Sequence, residues 1–370
     1  MRKIGLLAAS ILLIAVLLNT NVGSFVSAQS NQTFEITEIG QLNTSGWAAN
    51  IHVQDNTAFI ADSEGGLLII DVSDPENPTE LSQFNEGIDH LHELYVDENL
   101  AYVADYTDGF KIIDLSDLGN PTQVGRFHDG GEVGTFDIFE DLAFIADFED
   151  GLEIVNISDP TQPIEIFQYD TEISYIYNVE IDNELAYVSD FISASEKSLR
   201  ILNISDLSNI EEIAEYTIDG EIFSIDFVGA VAYMMCSYGG VKIFNISDPL
   251  SLIELGSYYD GGHAVDLEFY EGYTIIADRD DGLEVLDISD YANLTETAHY
   301  FDGGSASGIE VVNDLIFVAD GEDGLEILQI EILPENPTTT GAFDFNLVLV
   351  LTGSVLLVGI VIVAIWRKVR

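Results

Sequence analysis

Aspartate recurs in this chain at the end of a short apolar run. Ala58-Phe59-Ile60-Ala61-Asp62, Ala101-Tyr102-Val103-Ala104-Asp105 and Ala143-Phe144-Ile145-Ala146-Asp147 are the clearest copies, and weaker ones end at Asp190, Cys236, Asp278 and Asp320. More acid and glycine follow, as in Asp62-Ser63-Glu64-Gly65-Gly66 and Asp320-Gly321-Glu322-Asp323-Gly324. Asp62, Asp105, Asp147, Asp278 and Asp320 admit two chemistries. Asp in a tight turn accepts backbone N–H bonds while Gly supplies positive φ. Carboxylates beside loop carbonyls also suit calcium, although no EF-hand loop is present. Ten residues before each column member stand His52, Tyr95, Asp137, Glu180, Asp226, Glu268 and Glu310. Five of these seven are acidic, so close packing would raise their pKa values unless a cation or water separates them.

His90, His92 and His263, with Trp47 and Tyr175, are expected near the same face. Imidazole suits zinc or copper, but spacing fixes no third ligand beside the His90/His92 pair. No nucleophile elbow, P-loop, HExxH or dinucleotide-binding turn occurs. A carboxylate pair fit for glycoside hydrolysis is compatible with so acidic a chain, since its separation is invisible in sequence.

The elements that must position these residues follow from the repeat. The column spacings are 43, 42, 43, 46, 42 and 42. A second column follows each copy: Ile69-Ile70-Asp71-Val72-Ser73-Asp74, Ile112-Ile113-Asp114-Leu115-Ser116-Asp117 and Ile154-Val155-Asn156-Ile157-Ser158-Asp159. A period near 40–45 with four short β runs is the signature of a propeller blade. In the second unit the runs are Glu93 to Val96, Leu100 to Asp105, Phe110 to Leu115 and Thr122 to His128. Asp-Gly-Gly links at 129–131, 260–262 and 302–304 suit tight blade-to-blade connections. The seventh unit ends near Ile332 after three runs, whereas Glu35 to Leu42 is an orphan outer strand. It is expected to complete the last blade and close the ring, which removes the unpaired edge. The fold class is therefore all-β, a seven-bladed β-propeller closed by the N-terminal strand, plus one C-terminal transmembrane helix. On this reading the inner-strand column lines the channel.

The quoted stretches Leu68-Ile69-Ile70-Asp71-Val72-Ser73-Asp74-Pro75 and Leu152-Glu153-Ile154-Val155-Asn156-Ile157-Ser158-Asp159-Pro160 resemble the LVIVD repeat of exported bacterial and archaeal propellers. The resemblance spans nearly the whole mature chain. It implies a generic cell-surface or binding role, with no shared catalytic motif to transfer. The fifth unit departs, with Met235-Cys236 where Ala-Asp is usual, and the fourth has a longer turn, Phe191 to Ser198.

The ends set the expected location. Residues 1–28 read as a signal peptide, with a basic start, an apolar run and small residues before Gln29. Residues 29–332 form the propeller, 333–344 a short Pro/Thr stalk, 345–366 an uncharged apolar span long enough to cross a bilayer, and 367–370 a basic tail. The positive charge places the C-terminus in the cytoplasm and the propeller outside. The chain has 66 acidic and 11 basic residues. All 66 acids but only six bases lie within 29–344, which argues against nucleic-acid binding. A single cysteine, Cys236, allows no intrachain disulfide. Asn31, Asn43 and Asn293 are candidate glycosylation sites, whereas Asn156, Asn203 and Asn245 stand where other repeats carry a turn-side Asp. The expected role is a cell-surface binding or adhesion module for a surface protein or glycan. An exported carbohydrate-active enzyme and a structural envelope component are the alternatives.

Overall fold

The computed structural model describes residues 32–333, apart from 170–174, 194, 195 and 280. The expected signal peptide, Asn31, stalk residues 334–344, the transmembrane run and the basic tail lie outside the described residues. Among the described residues no helix is long and apolar enough to cross a membrane.

Among the described residues, seven four-stranded antiparallel sheets form the propeller. The first blade is Asn50–Gln54, Thr57–Ala61, Leu67–Asp71 and Thr79–Phe84, in that order from the inside out. The inner strands of blades two to seven are Leu91–Asp97, Phe136–Phe139, Tyr175–Asp182, Ser224–Val228, Asp266–Tyr270 and Ala306–Val312. In the second blade the other strands are Leu100–Asp105, Gly109–Asp114 and Thr122–Phe127. These match the expected runs within two residues. The inner strand begins two residues early because its register shifts between Leu91 and Glu93.

Burial explains the sequence pattern of each strand. Second and third strands are nearly all buried, as in Leu100–Asp105 and Gly109–Asp114. Neighbouring blades cover both their faces, so they read as apolar runs rather than alternating ones. Outer strands are mostly exposed, as in Ile164–Tyr169. Among the described residues the core is accordingly divided into seven apolar clusters, each between adjacent blades, such as that joining Phe59 and Ile69 to Leu94 and Val103.

The ring closes as expected. Thr33–Leu42 pairs antiparallel with Gly324–Leu333 and forms the outer strand of the seventh blade. It even carries the bulge of the other outer strands. In the first blade the register shifts between Ile69 and Ile70, and in the seventh the equivalent shift falls between Glu38 and Gly40. A bulge there bends and twists the outer strand, which wraps it towards the neighbouring blade. At Gly40 a Cβ would lie 2.0 Å from the Pro75 carbonyl oxygen. Only glycine permits that approach of the first blade to the closing strand.

Candidate binding face and channel

Inner strands begin, and second and outer strands end, on one face of the ring. The connection from each outer strand to the next inner strand crosses on this face, as does the turn from second to third strand. The Asp column stands at the ends of the second strands, so every member lies on this crossing face.

There the column pins the incoming crossing. Asp62 accepts from Thr44 Oγ1 at 2.6 Å and from the Gly46 N–H at 2.9 Å. Asp105 accepts from the His90 N–H at 2.8 Å, and Asp278 accepts from the His263 N–H. The Glu132 and Ser305 N–H groups serve Asp147 and Asp320. The donors therefore come from the crossing that precedes the inner strand, not from the Asp residue's own turn as the turn reading supposed. Burial raises Asp62, pushes Asp147 to about 7 and Asp320 to about 6. A further basic or acidic residue of the third strand meets the column. Lys111, 1 % exposed, donates to Asp105 Oδ2 at 2.6 Å, and Arg200 Nε donates to Asp190 Oδ2 at 2.7 Å. Glu153, Glu284 and Glu326 occupy the same register in blades three, six and seven. Burial, an adjoining carboxyl and further like charges push all three to about 9.

The inner-strand column, from His52 to Glu310, stands on the innermost strands of the seven blades. His52 Nδ1 lies 3.7 Å from Glu310 Oε2, and its ring stands 5.6 Å from that of Tyr95. The carboxylates reach sideways to the exposed edge of the next inner strand. Val53 N–H donates to Glu310 at 2.6 Å, and Ile181 N–H donates to Asp137 at 2.8 Å. Inner strands have a free edge, and a buried unpaired N–H is costly, so these acids complete the innermost hydrogen bonding. Burial is the main cause of raised pKa values throughout: about 6 for Asp137, about 7 for Glu268 and Glu310, and well above the ordinary range for Glu180 and Asp226. Burial lowers His52.

Sequence reasoning missed a second tier. Glu93, pushed by burial to about 8, accepts from Asn50 Nδ2 at 3.1 Å. Asp266, pushed to about 6, accepts from the Ile309 N–H at 2.8 Å. Both lie two residues before column members Tyr95 and Glu268, and the two-residue strand period would have found them.

Aromatic side chains collect around the channel mouth on the crossing face. Tyr106, Phe148, Tyr177 and Phe223 form an edge-to-face chain with centroid separations of 5.5, 5.7 and 5.3 Å. The Arg279 guanidinium sits 5.1 Å from the Phe223 ring and continues the arc. Phe148 and Arg279 have φ values of 26° and 28°, held by bridges to Ile176 and Ala306 at the start of the next inner strand. Such a conformation is costly for a bulky residue, so cross-blade pairing dictates where these side chains project. Farther out, Trp47, Tyr175, Tyr238, Tyr259 and Phe301 are 41–69 % exposed on the same face.

The histidines are placed there too. His92 Nε2 meets the Gly134 carbonyl, and burial lowers its pKa. The His90 and His92 rings are 6.4 Å apart, and no three-residue metal-ligating cluster among the described residues includes a histidine. His263 packs its ring against Tyr238 at 3.9 Å. Asn43 and Asn293 are exposed. Asn156, Asn203 and Asn245 accept the N–H two residues on, as Asp71 and Asp114 do.

The LVIVD repeat model matches residues 45–86, 91–129, 130–171, 176–218, 261–302 and 303–340. The chain belongs to the LVIVD-repeat family. The fifth blade is the one without a match, and it carries Cys236 in place of the column Asp. No curated protein matches the sequence. Among solved structures, the β-propeller domain of Myceliophteria thermophila Cps50 (Swd1) is similar at TM-score 0.63 and 14 % identity, covering 80 % of this chain and 99 % of that one. The computationally designed Ika8 protein is similar at TM-score 0.58 and 12 % identity, covering 79 % and 99 %. These likenesses concern fold alone. Neither the LVIVD family nor the propeller fold points to an enzymatic activity.

Proposed function

We propose that this LVIVD propeller is a membrane-anchored surface module that binds a basic polypeptide segment of another surface protein on its crossing face. The observation that carries this reading is the segregation of exposed aromatics. Trp47, Tyr175, Tyr238, Tyr259 and Phe301 all lie on that face, around the arc from Tyr106 to Arg279. Towards the opposite face the exposed large apolar residues among the described residues are Phe139, Ile164, Val228, Leu250, Ile253 and Ile332, of which Phe139 alone is aromatic. Aromatic faces offer flat contact area and cation–π attraction. The strong negative charge of residues 29–344 steers cations towards them and repels anionic partners. Phe345 to Trp366 and the basic tail supply the anchor, and residues 1–28 the export signal.

Arrays of lysine- and arginine-rich peptides with interspersed aromatics, beside arrays of neutral glycans, test this with the full-length protein in detergent. Retention by the basic peptides should weaken at high salt. It should fall at least tenfold in the Tyr238→Ala/Tyr259→Ala/Phe301→Ala variant, with an unchanged melting temperature. Salt-insensitive retention by neutral glycans alone would replace the polypeptide reading with a glycan one. Retention by neither array would overturn both.

A further inference from the structure

The crossings differ from blade to blade in one respect that points to a ligand. We propose that three of them each bind a divalent cation, calcium, through a repeated triad: Asp129, Asp147 and Glu153; Asp260, Asp278 and Glu284; Asp302, Asp320 and Glu326. In each triad the carboxylate oxygens lie within 4.8 Å of one another. The sequence spacing is the same in all three, both from the first acid to the column Asp and from the column Asp to the Glu.

The triads are built alike. The first acid opens an Asp-Gly-Gly link and accepts the N–H two residues on, from Gly131, Gly262 or Gly304, at 3.2 Å. At those same glycines a Cβ would stand 1.8–2.1 Å from the column carboxylate. The link therefore brings backbone and first acid against the column Asp at a distance only glycine allows.

Two independent observations separate these triads from an ordinary acidic surface. The first is the third-strand glutamate. Glu153 is 0 % exposed and neither carboxylate oxygen has a hydrogen-bond donor. Glu284 and Glu326 are each 2 % exposed, and in each Oε1 has none. Their carboxylates converge on two further acids. A buried carboxylate without a donor must hold a proton or face a cation.

The second is the second blade, where a cationic side chain occupies the equivalent place. Lys111 pairs with Val103 just as Glu153 pairs with Ile145. Its ammonium contacts Asp105 Oδ2 at 2.6 Å, Asp108 Oδ2 at 2.9 Å and the Gly87 carbonyl. Gly87 precedes Asp105 by the same interval that separates Asp129 from Asp147, so it stands where the triads have their first acid. The crossing of blade two is thus neutralised from within. Arg200 does the same beside Asp190. Only six basic residues lie within 29–344, and two of them take this position opposite a column Asp. Where glutamate replaces them, the fold supplies no cationic side chain of its own among the described residues.

All the donors are carboxylate oxygens, which favours a hard cation over zinc or copper. The first acid of each triad is exposed, so water completes the coordination shell from that side. Asp62 and Asp105 fall outside the proposal. Thr44, Ser45 and Gly46 donate to Asp62, and Lys111 pairs with Asp105.

The test is a calcium count on the full-length protein in detergent, stripped with EDTA and desalted into 0.1 M NaCl. Equilibrium dialysis should give three saturable Ca²⁺ per chain, with Mg²⁺ a weak competitor. The melting temperature should rise with Ca²⁺ well above its rise with equimolar Mg²⁺. Glu153→Lys copies blade two, and Glu153→Gln removes one charge. Each should lower the count to two, while the exposed control Glu64→Gln keeps three. The Lys variant should also melt in EDTA at or above the wild-type temperature. Should that variant not fold, Glu153→Gln and Glu326→Gln together should leave one calcium. Absence of saturable uptake, or a count unchanged in both Glu153 variants, would overturn the proposal and assign protons to the triads. No partner is needed for this experiment, so its outcome is independent of the polypeptide reading.

Discussion

The channel and the crossings are both acidic, yet their acids do different work. In the channel, Glu310, Asp137 and Asp266 each accept an N–H from the next blade's inner strand. Their negative charge completes the hydrogen bonding of an edge that no fifth strand covers. At the crossings, the column Asp likewise holds backbone, as Asp62 holds Gly46. The third-strand residue behind it is a glutamate with a donorless carboxylate oxygen in blades three, six and seven, a lysine or arginine opposite a column Asp in blades two and four, and Lys242 in blade five, where Cys236 replaces the Asp. Carboxylate content alone therefore says little. What distinguishes a structural acid from a binding one is whether the fold supplies a donor.

The harshest test of this contrast removes the frame both regions share. Deleting Thr33–Leu42 opens the seventh blade, so the channel loses its closure and the first crossing loses its origin. Phe34, Ile36, Ile39 and Leu42 all pack into the two clusters flanking that blade. Phe34 is buried and the other three are half-buried; at about 1.5–3 kcal/mol for a fully buried large side chain and less for a half-buried one, their loss removes a large part of the about 5–15 kcal/mol that stabilises a typical protein. No cooperative thermal transition should remain by circular dichroism. A melting temperature within a few degrees of wild type would refute closure.

A narrower test strikes only the crossings. Lys111→Met leaves Asp105 buried without its countercharge. Breaking a buried pair from one side costs about 3–5 kcal/mol, and the melting temperature should drop by roughly 5–15 °C. Restoring neutrality with Asp105→Asn in the same chain should recover part of the loss. A Lys111→Met protein that melts like wild type would mean the ammonium is dispensable there, and blade two would cease to be an internal model for the triads.

The smallest expected effect belongs to the channel. Its acids have folded-state pKa values above their unfolded ones, about 8 for Glu93 and about 7 for Glu268. The folded state then binds protons more tightly, so this stability is present near pH 4.5 and is lost as pH rises through 7 and 8. In EDTA the melting temperature should rise by several degrees between pH 9 and pH 5.5. Glu93→Gln should flatten that slope, because glutamine keeps the contact with Asn50 but carries no titrating charge. An identical slope in wild type and variant would remove Glu93 from the account.

Much of this architecture was legible because it repeats. Seven copies of one strand pattern gave the blades, and the surplus N-terminal run matched the missing outer strand of the seventh. The column Asp and the channel column were visible as fixed offsets. Their partners were not. Nothing near Asp62 in sequence announces Gly46 as its donor, since the pairing spans an outer strand's end and a second strand's end. The triads were hidden for the same reason. Asp129 belongs to a link, Asp147 to a second strand and Glu153 to a third, so three strand neighbours had to be combined before the cluster appeared. Glu93 and Asp266 are less legible because the position two residues before the channel column holds an acid in blades two and six but Asn50, Asn178, Ser224 and Gly308 in blades one, four, five and seven.

The closing strand has a further consequence for the order in which the molecule assembles. Thr33 pairs with Leu333, at the opposite end of the propeller sequence, so the first strand made is the last to find its partner. Until then Phe34 and Ile36 have no cluster to enter and the strand's edge stays open to any other chain. Pairings so distant in sequence form slowly. The interval before closure is thus the period when a nascent propeller is most open to misassociation with its neighbours. Phe34→Lys should lengthen that interval without altering a single blade-to-blade crossing.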